Sequence, residues 1–247
     1  MKKIILYSFS LFFWFGCGKE GKLTFDYISF EKKACATCAT VTISIPEALN
    51  KSKIDRTINA AIKEEIIYLL NFDENTETMD IDMAINSFLK GYDELKLKYA
   101  EAATPWEANI NGYIAYENER LLTVRLDSYL FTGGAHGYSS VRFLNFDKEK
   151  GIELENKELF VNEGDFTAFA EVKFRSQEHV PQGSSINSTG FMFETDSFYL
   201  PENIGYTQEG LQLFYKPYEI ASYADGPIVL TLPFKEIWSY LMFQVKS

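Results

Sequence analysis

The residues with the clearest potential for chemistry lie in one glycine-rich segment, FTGGAHGYSS at 131–140. It contains His136, one of two histidines in the chain, which could serve as a general acid or base. The hydroxyl groups that could act as nucleophiles beside it belong to Thr132, Ser139 and Ser140. The sequence contains no G-x-S-x-G elbow, so the usual pattern of a serine hydrolase is missing.

The same segment permits two interpretations without catalysis. Its glycines allow positive φ angles or close backbone approach, which is typical of a wide turn. Because the segment leaves one predicted strand and enters another, it does not fit a phosphate-binding loop, which opens a helix. We rank a structural turn, pinned by a hydrogen bond of the His136 ring, before a binding surface, and a catalytic centre last. The candidate binding surface consists of Thr132, Gly133, Gly134, His136, Gly137 and Tyr138.

The spacing of potential ligands does not support metal chemistry. His136 and His179 are 43 residues apart and form no H-x-x-x-H or H-E-x-x-H motif. Cys35 and Cys38 form a C-x-x-C pair, but a zinc site would need two further ligands. Since the pair precedes a β-branched strand, a structural disulfide or two free thiols are favoured over thioredoxin-type catalysis. We expect no metal and no cofactor.

The first residues are typical of a secreted bacterial lipoprotein. Lys2 and Lys3 precede an apolar run at 4–15, which is shorter than the roughly 20 residues of a membrane-spanning helix and fits a signal peptide. Gly16 and Cys17 follow directly, as in a lipobox. We therefore predict a signal peptide at 1–16 and lipidation of Cys17, with cleavage elsewhere as the alternative. More than one acyl chain would anchor the protein stably in the cell envelope, at the outer membrane or the cell surface.

The charge of the chain narrows the choice of partner. Without residues 1–16 it carries 22 basic and 35 acidic residues, a net charge of −13. Such a surface repels nucleic acid and favours encounter with a basic partner. Alternatively, the negative net charge serves only to keep the protein soluble.

Hydrophobic periodicity predicts an α+β fold. Strands are predicted at 23–31, 39–45, 106–116, 120–130, 139–147, within 152–160 and at 228–232, with a hairpin at 197–216. Helices are predicted at 52–71, 79–102, 164–179 and from 233 to 242. We expect Pro46 to end the second strand and Ser52 to cap the first helix. Paired helices and hairpins favour an antiparallel sheet covered by amphipathic helices over βαβ repeats.

The segment TGGAHGYSSVRFLNFDKEKGIELENKELF at 132–160 resembles a bacterial envelope domain family. This family includes the extracellular part of RsiV-type lysozyme-sensing anti-sigma factors and the non-catalytic N-terminal region of PdaC-type peptidoglycan deacetylases. The shared features are the G-G-A-H-G turn, the aromatic residue after it, Asn145 in the next strand and the E-L-F segment before a helix. The segment YEIASYADGPIVLTLPFKEIWSYL at 218–241 resembles the C-terminal part of the family, so the resemblance covers roughly 37–242.

The resemblance implies a cell-surface α+β domain of two closely packed modules. We accordingly divide the chain into a tether with the first strand at 17–36, an N-terminal module at 37–104 and a C-terminal module with the GGAHG turn at 105–247. It implies recognition of lysozyme or cell-wall material without catalysis. Since the sequence shows no transmembrane helix, sigma-binding segment or deacetylase domain, we expect neither parent activity. The alternatives are a peptidoglycan-modifying enzyme, with Asp127 or Asp147 near His136, and a passive structural lipoprotein.

Overall fold

The computed structural model describes residues 22–35, 37–72, 80–100 and 104–243. The predicted signal peptide and Cys17 lie outside the described residues. Over these ranges nine strands form two sheets: β1 Phe25–Lys33, β2 Thr40–Ala48, β3 Glu107–Glu117, β4 Leu121–Phe131, β5 Tyr138–Asp147, β6 Ile152–Glu153, β7 Asn203–Tyr206, β8 Leu211–Tyr215 and β9 Ile228–Leu232. The α-helices of the same ranges are α1 Lys53–Leu70, α2 Ile81–Lys98, α3 Glu163–Gln177 and α4 Phe234–Ile237.

The large sheet contains β1 to β6 in chain order. Neighbouring strands are antiparallel except for β2 and β3, which run parallel, with Thr40 opposite Glu107 and Ser44 opposite Asn111. The predicted α+β class with an antiparallel sheet is confirmed, and the parallel pair of β2 and β3 is the exception within the described sheet. The long excursion through α1 and α2 lets the chain re-enter the sheet in the same direction, which a short hairpin turn does not allow.

One face of the large sheet is covered by α1 and α2. The predicted cap is present, since the Ser52 side chain accepts a hydrogen bond from the Asp55 backbone N–H. Both helices are amphipathic, as predicted: α1 buries apolar residues along one face from Ile54 to Leu70, and α2 does so from Ile81 to Tyr92. The second helix was predicted to reach residue 102, but α2 ends at Lys98, and Tyr99 directly after it is 61 % exposed. This layer holds the first of two large apolar cores.

Pro46 does not end its strand, contrary to expectation. It lies inside β2 and is paired with Tyr27 of β1. The pairing of β2 with β3 stops at Ser44. Beyond that point β2 has a neighbour on one side, and a residue without a backbone N–H is tolerated at such an edge.

The hairpin loop between β1 and β2 contains the C-x-x-C pair. Cys35 and Cys38 are joined by a disulfide, with their Cα atoms 5.1 Å apart. The carbonyl of Thr37 accepts a hydrogen bond of 2.9 Å from the Tyr92 hydroxyl of α2. The pair thus lies in a strand-to-strand loop attached to the helix layer and not at the start of a helix, where a thioredoxin-type cysteine would be activated.

The small sheet, β7 to β9, is antiparallel and forms the second apolar core with α3 and α4. It packs against the large sheet on the face opposite α1 and α2. A side chain at Gly205 would place its Cβ 2.7 Å from Cβ of Phe143 in β5, so the backbones approach closely there. The buried Asn145 side chain donates a 2.8 Å hydrogen bond to the Ile204 carbonyl and accepts another from Thr123. The small sheet therefore covers the C-terminal half of β5 and leaves its N-terminal half open.

The predicted division at residue 104 lies between α2 and β3. Since β2 and β3 pair directly, segments on both sides of this position share one sheet. The division into two modules stays a prediction.

Candidate functional site

The GGAHG turn joins β4 to β5 and owes its glycines to backbone geometry. Gly133 and Gly134 have φ angles of 98° and 92°, in the left-handed region that other residues rarely adopt. A Cβ at either position would meet no atom within 4 Å, so conformation and not space requires glycine. Thr132, at the start of the turn, is exposed.

His136 ties this turn to the loop between β8 and β9. Its ring stacks on Tyr223, with centroids 3.9 Å apart and planes 18° apart. With the proton on Nδ1, the ring donates to the Gly137 carbonyl at 3.0 Å. The Tyr223 hydroxyl donates to the same carbonyl at 2.8 Å. This is the arrangement that the structural interpretation of the turn predicts, with the additional stacking partner lying 87 positions away in the sequence.

Gly137 and Tyr138 connect the turn to its surroundings. Gly137 is buried, and a Cβ there would lie 2.5 Å from the ring of Tyr129. Tyr138 opens β5 opposite Leu130 and is 36 % exposed. The candidate surface thus contains an exposed tyrosine held beside a turn with defined contacts.

We predict that His136 and Tyr223 stabilise the turn cooperatively. Tyr223→Phe should lower the free energy of unfolding by roughly 0.5–1.5 kcal/mol, the typical contribution of one hydrogen bond. His136→Ala should lose a similar amount through the ring contact. In a double-mutant cycle measured by urea denaturation the two changes should show coupling, whereas Tyr68→Phe, at a tyrosine that is 81 % exposed, should change nothing. Strictly additive losses would contradict the contact.

The hydroxyl groups near the turn are not arranged around His136 as in a nucleophilic centre. Ser140 Oγ lies 2.7 Å from Ser128 Oγ, in a hydrogen bond on the helix side of the sheet. Ser139 is exposed on the opposite face. In the hydrogen bonds found across the described ranges, His136 has the Gly137 carbonyl as partner and no serine or threonine hydroxyl.

The two carboxylates expected near His136 have other partners. Asp127 Oδ1 accepts from Arg125 Nε at 2.7 Å. Asp147 is fully buried and accepts from the backbone N–H groups of Glu149 and Lys150, both at 2.9 Å. It ends the ten-residue strand that begins at Tyr138, so it lies about 30 Å from the turn. The expectation that Asp147 lies near His136 is therefore wrong, and its role is to hold the β5–β6 turn.

A cleft of about 570 Å³ lies over the open half of the large sheet. We call it the sheet cleft. Its floor comes from alternate residues of four strands: Thr42, Ser44, Asn109, Asn111, Asp127, Tyr129 and Ser139. Its roof comes from the small sheet and the loop that contains Tyr223: Phe214, Pro217 and Pro227. The stack of Tyr223 on His136 therefore fixes the roof over the floor.

The charges of the sheet cleft compensate each other. The Arg125 guanidinium pairs with Asp127, donates to Gln212 at 3.3 Å and lies over the Phe143 ring at 5.5 Å. Burial raises the pKa of the Tyr113 phenol, and its hydrogen bond to Asp127 acts in the same direction. The lining residues of the cleft thus carry no surplus charge.

A second cavity, of about 480 Å³, lies beside Tyr138, and we call it the tyrosine hollow. Its rings and carboxylates are Tyr138, Tyr199, Tyr218, Glu194, Glu202 and Glu219. Lys216 is its cation and lies 3.3 Å from Glu202. Burial raises the pKa values of Tyr138, Tyr199 and Glu219. Tyr218 is 61 % exposed and has a φ of 70°, a strained conformation for a non-glycine residue that is often found at binding sites.

Sequence reasoning found one residue of these two cavities, Tyr138, as part of the candidate surface. It placed Asp127 and Ser139 near His136, but not in a cleft. The other lining residues appear in the sequence as the polar positions of alternating strands or as loop residues. They meet through strand pairing and through the docking of the small sheet, for which a single sequence has no local pattern.

The fold defines a two-sheet α+β domain with two surface cavities beside one ordered turn. Residues 32–139 match the family model described as Deacetylase PdaC, and 157–235 match the model described as Protein of unknown function (DUF3298). The chain therefore carries a PdaC-type region followed by a DUF3298 region, which confirms the family predicted from the turn motif. No curated protein sequence matches the chain.

Two crystal structures of DUF3298 family proteins share the fold. One, from Bacteroides fragilis, has a TM-score of 0.70 and 20 % sequence identity over 91 % of this chain and 95 % of its own. The other, from Pseudomonas aeruginosa PAO1, has a TM-score of 0.63 and 19 % identity over 90 % and 95 % of the two chains. At such low sequence identities the likeness establishes the fold alone. The function has to be argued from the residues of the candidate site.

Neither a metal cluster nor a membrane-spanning helix was found in the described residues. Their histidine, cysteine, aspartate and glutamate side chains form no group of three or more that could hold an ion. Among these same residues no helix is both long and apolar enough to cross a bilayer.

Proposed function

We propose that this protein is a lipid-anchored binding domain of the bacterial cell envelope that recognises a basic protein such as lysozyme, without catalysis. The observation that carries the proposal is the tyrosine hollow, where three tyrosines and three glutamates line one cavity next to the GGAHG turn. Anchoring is supported by the Gly16–Cys17 pattern. An envelope setting is in keeping with the PdaC-type region.

The chemistry of the hollow suits a lysine or arginine side chain of the partner. A cation over a tyrosine ring is attracted by the ring quadrupole, and a carboxylate can add a charge-assisted hydrogen bond. Lys216 pairs with Glu202, so the hollow keeps a surplus of two carboxylates over cations. The net charge of −13 without residues 1–16 would steer a basic protein towards this surface.

The other functions have weaker support. Cell-wall material is the alternative ligand of a binding domain. The description of one matched model as a deacetylase favours a peptidoglycan-modifying enzyme. Against it, the His136 ring is hydrogen-bonded to the Gly137 carbonyl of its own turn, and Asp127 accepts a hydrogen bond from Arg125. A passive structural lipoprotein would leave the surplus charge and the exposed tyrosines of the hollow without a use.

We predict that Tyr218→Ala weakens binding of lysozyme roughly tenfold or more, because one desolvated cation–π contact contributes about 1–2 kcal/mol. The measurement is calorimetric titration of the full chain in non-ionic detergent. Glu194→Gln, as a separate variant, should also weaken lysozyme binding, because it removes one carboxylate from the hollow. Tyr68→Ala removes an even more exposed ring, on α1 and outside the hollow, and should bind as the unmodified protein does.

Salt and a second basic protein separate recognition from simple charge attraction. Binding through the hollow should persist at ~0.3 M salt, where exposed charges are strongly screened. It should also exceed binding of cytochrome c, an unrelated basic protein, under the same conditions. Loss of binding in salt, or equal binding of cytochrome c, would reduce the acidic surface to a solubility feature and overturn the proposal.

A further inference from the structure

We propose that the sheet cleft is a second binding site, which shares Pro217 with the tyrosine hollow, and that its ligand is a neutral oligosaccharide. The proposal goes beyond the recognition of a basic protein. It rests on three properties of the cleft: a floor of hydroxyl and amide side chains in which Asp127 is paired with Arg125, an apolar roof, and the absence of a surplus charge among the lining residues.

The floor offers hydrogen-bonding groups from four neighbouring strands. Four strands spaced about 4.8 Å apart make it roughly 14 Å wide. Thr42, Asn109 and Asn111 are exposed on it, and Ser44 is half-buried. Amide and hydroxyl groups both donate and accept, as the hydroxyl and acetamido groups of sugars do. Asn109 also donates to Glu107 at 2.6 Å, which orients its carbonyl oxygen.

Strand register aligns these groups in rows. Thr42 lies opposite Asn109, which lies opposite Tyr129 and then Ser139. Ser44, Asn111 and Asp127 form the next row in the same way. A linear chain of sugar rings laid across the strands would have one row of partners along each of its two edges. A single small molecule would contact only part of a row.

The charge of the cleft excludes strongly ionic ligands. Arg125 is occupied by Asp127 and Gln212 and lies over an aromatic ring. An acidic ligand would therefore meet Asp127 without a free cation to receive it. A basic ligand would compete with Arg125 for the same carboxylate, whereas a neutral polyhydroxyl ligand disturbs neither.

The roof supplies the apolar contacts that sugar rings make through their C–H faces. Phe214 and Pro217 are buried, and Pro227 is exposed at the edge. These residues belong to the small sheet and to the loop that carries Tyr223, which is attached to the GGAHG turn. His136 is thus a positioning residue of the cleft, since it holds the roof at its distance from the floor.

The test is calorimetric titration of the full chain in non-ionic detergent with chitotetraose, cellotetraose and maltotetraose, and with tetragalacturonate as an acidic control. We expect binding of at least one neutral tetrasaccharide and none of tetragalacturonate. The double variant Asn109→Ala, Asn111→Ala should lose about tenfold or more in affinity, since it removes two hydrogen-bonding side chains. Asn111→Phe, which fills the cleft and suits a strand, should abolish binding.

The matched control is Gln208→Ala, which removes an exposed amide in the β7–β8 turn, at the other end of the hairpin from Phe214. It should bind the tetrasaccharide as the unmodified protein does, with an unchanged Tm. The inference would be overturned if the unmodified protein bound none of the neutral tetrasaccharides. It would also be overturned if the double variant bound them as tightly as the unmodified protein. Lysozyme binding that persists in the same preparations would show that the proposed function stands. Glu194→Gln, which changes the tyrosine hollow and no lining residue of the sheet cleft, should impair lysozyme binding and leave tetrasaccharide binding unaffected.

Discussion

Gly205→Ala is expected to lower the free energy of unfolding by roughly 2–3 kcal/mol, because it forces a methyl group into a packed contact between the two sheets. The added Cβ would lie 2.7 Å from Cβ of Phe143 and closer still to the first ring atoms. These atoms are close to the β5 backbone, so the phenylalanine cannot yield by a rotation of its far end alone. The small sheet must shift or the ring must leave its rotamer. Urea denaturation measures the loss.

Two further variants show whether the contact itself is responsible. Gly164→Ala introduces the same methyl group in the first turn of α3, where the nearest neighbour would be Asn162 Oδ1 at 3.4 Å. It should stabilise the protein by about 0.5–1 kcal/mol, since alanine is the better helix former. Adding Phe143→Leu to Gly205→Ala should restore part of the lost stability. If Gly205→Ala is as stable as the unmodified protein, the close packing of β7 on β5 is wrong.

Asn145→Asp is expected to cost about 4 kcal/mol at pH 7. The side chain is 2 % exposed and bridges the sheets, accepting from Thr123 and donating to Ile204. A carboxylate has no proton to donate, so it would face the Ile204 carbonyl as a buried, unpaired charge. The carboxyl group must instead stay protonated, and holding it so about three pH units above its ordinary pKa of about 3.9 costs about 1.4 kcal/mol per unit.

The pH dependence of this variant gives the sharper test. Burial raises the pKa of the introduced carboxyl in the folded state above its value in the unfolded state. Its protonated form replaces the lost donor, so the variant should approach the stability of the unmodified protein below about pH 4. The difference between the two should then grow by up to about 1.4 kcal/mol per pH unit as the pH rises. Gln208→Glu, at an exposed position in the β7–β8 turn, should show no comparable slope. A pH-independent loss would contradict the bridging role of Asn145.

These two positions also affect the proposed ligand sites. Gly205 and Asn145 set how the small sheet sits on β5, and the small sheet provides the roof of the sheet cleft. Variants that shift it should weaken tetrasaccharide binding even while the domain remains folded. They serve as a structural comparison for the floor variants, which should lose affinity without a loss of Tm.

Local patterns in the sequence predicted the elements well where one face is buried. The apolar stripe of α1 and its Ser52 cap lie as expected, because helix periodicity and capping depend on residues three or four positions apart. The strands of the β3–β4 and β4–β5 hairpins were also predicted from local pattern. Their connections are short, and short connections make neighbouring strands pair. The end of the second helix was predicted at residue 102 instead of Lys98, because periodicity alone does not show where a helix ends.

The sites were harder to predict, because their residues are far apart in the chain. His136 was singled out as a pin of its own turn, but its stacking partner Tyr223 lies 87 positions away. Thr42 and Asn109 become neighbours through the parallel pairing of β2 with β3. These two strands are separated in the chain by both α1 and α2. Nothing in either strand specifies that register locally.

The sequence by itself determined the α+β class, the family, the acidic charge and the glycine-dependent turn, since each depends on composition or on contacts within a few residues. Tertiary structure decided where the polar faces of the strands come together and which half of the large sheet stays open. It also decided the roles of the two aspartates: Asp127 compensates Arg125 in the cleft, while Asp147 holds a turn about 30 Å from His136. The physical reason is that strand register and sheet docking are fixed by the sum of many distant contacts, each too weak to leave a local pattern.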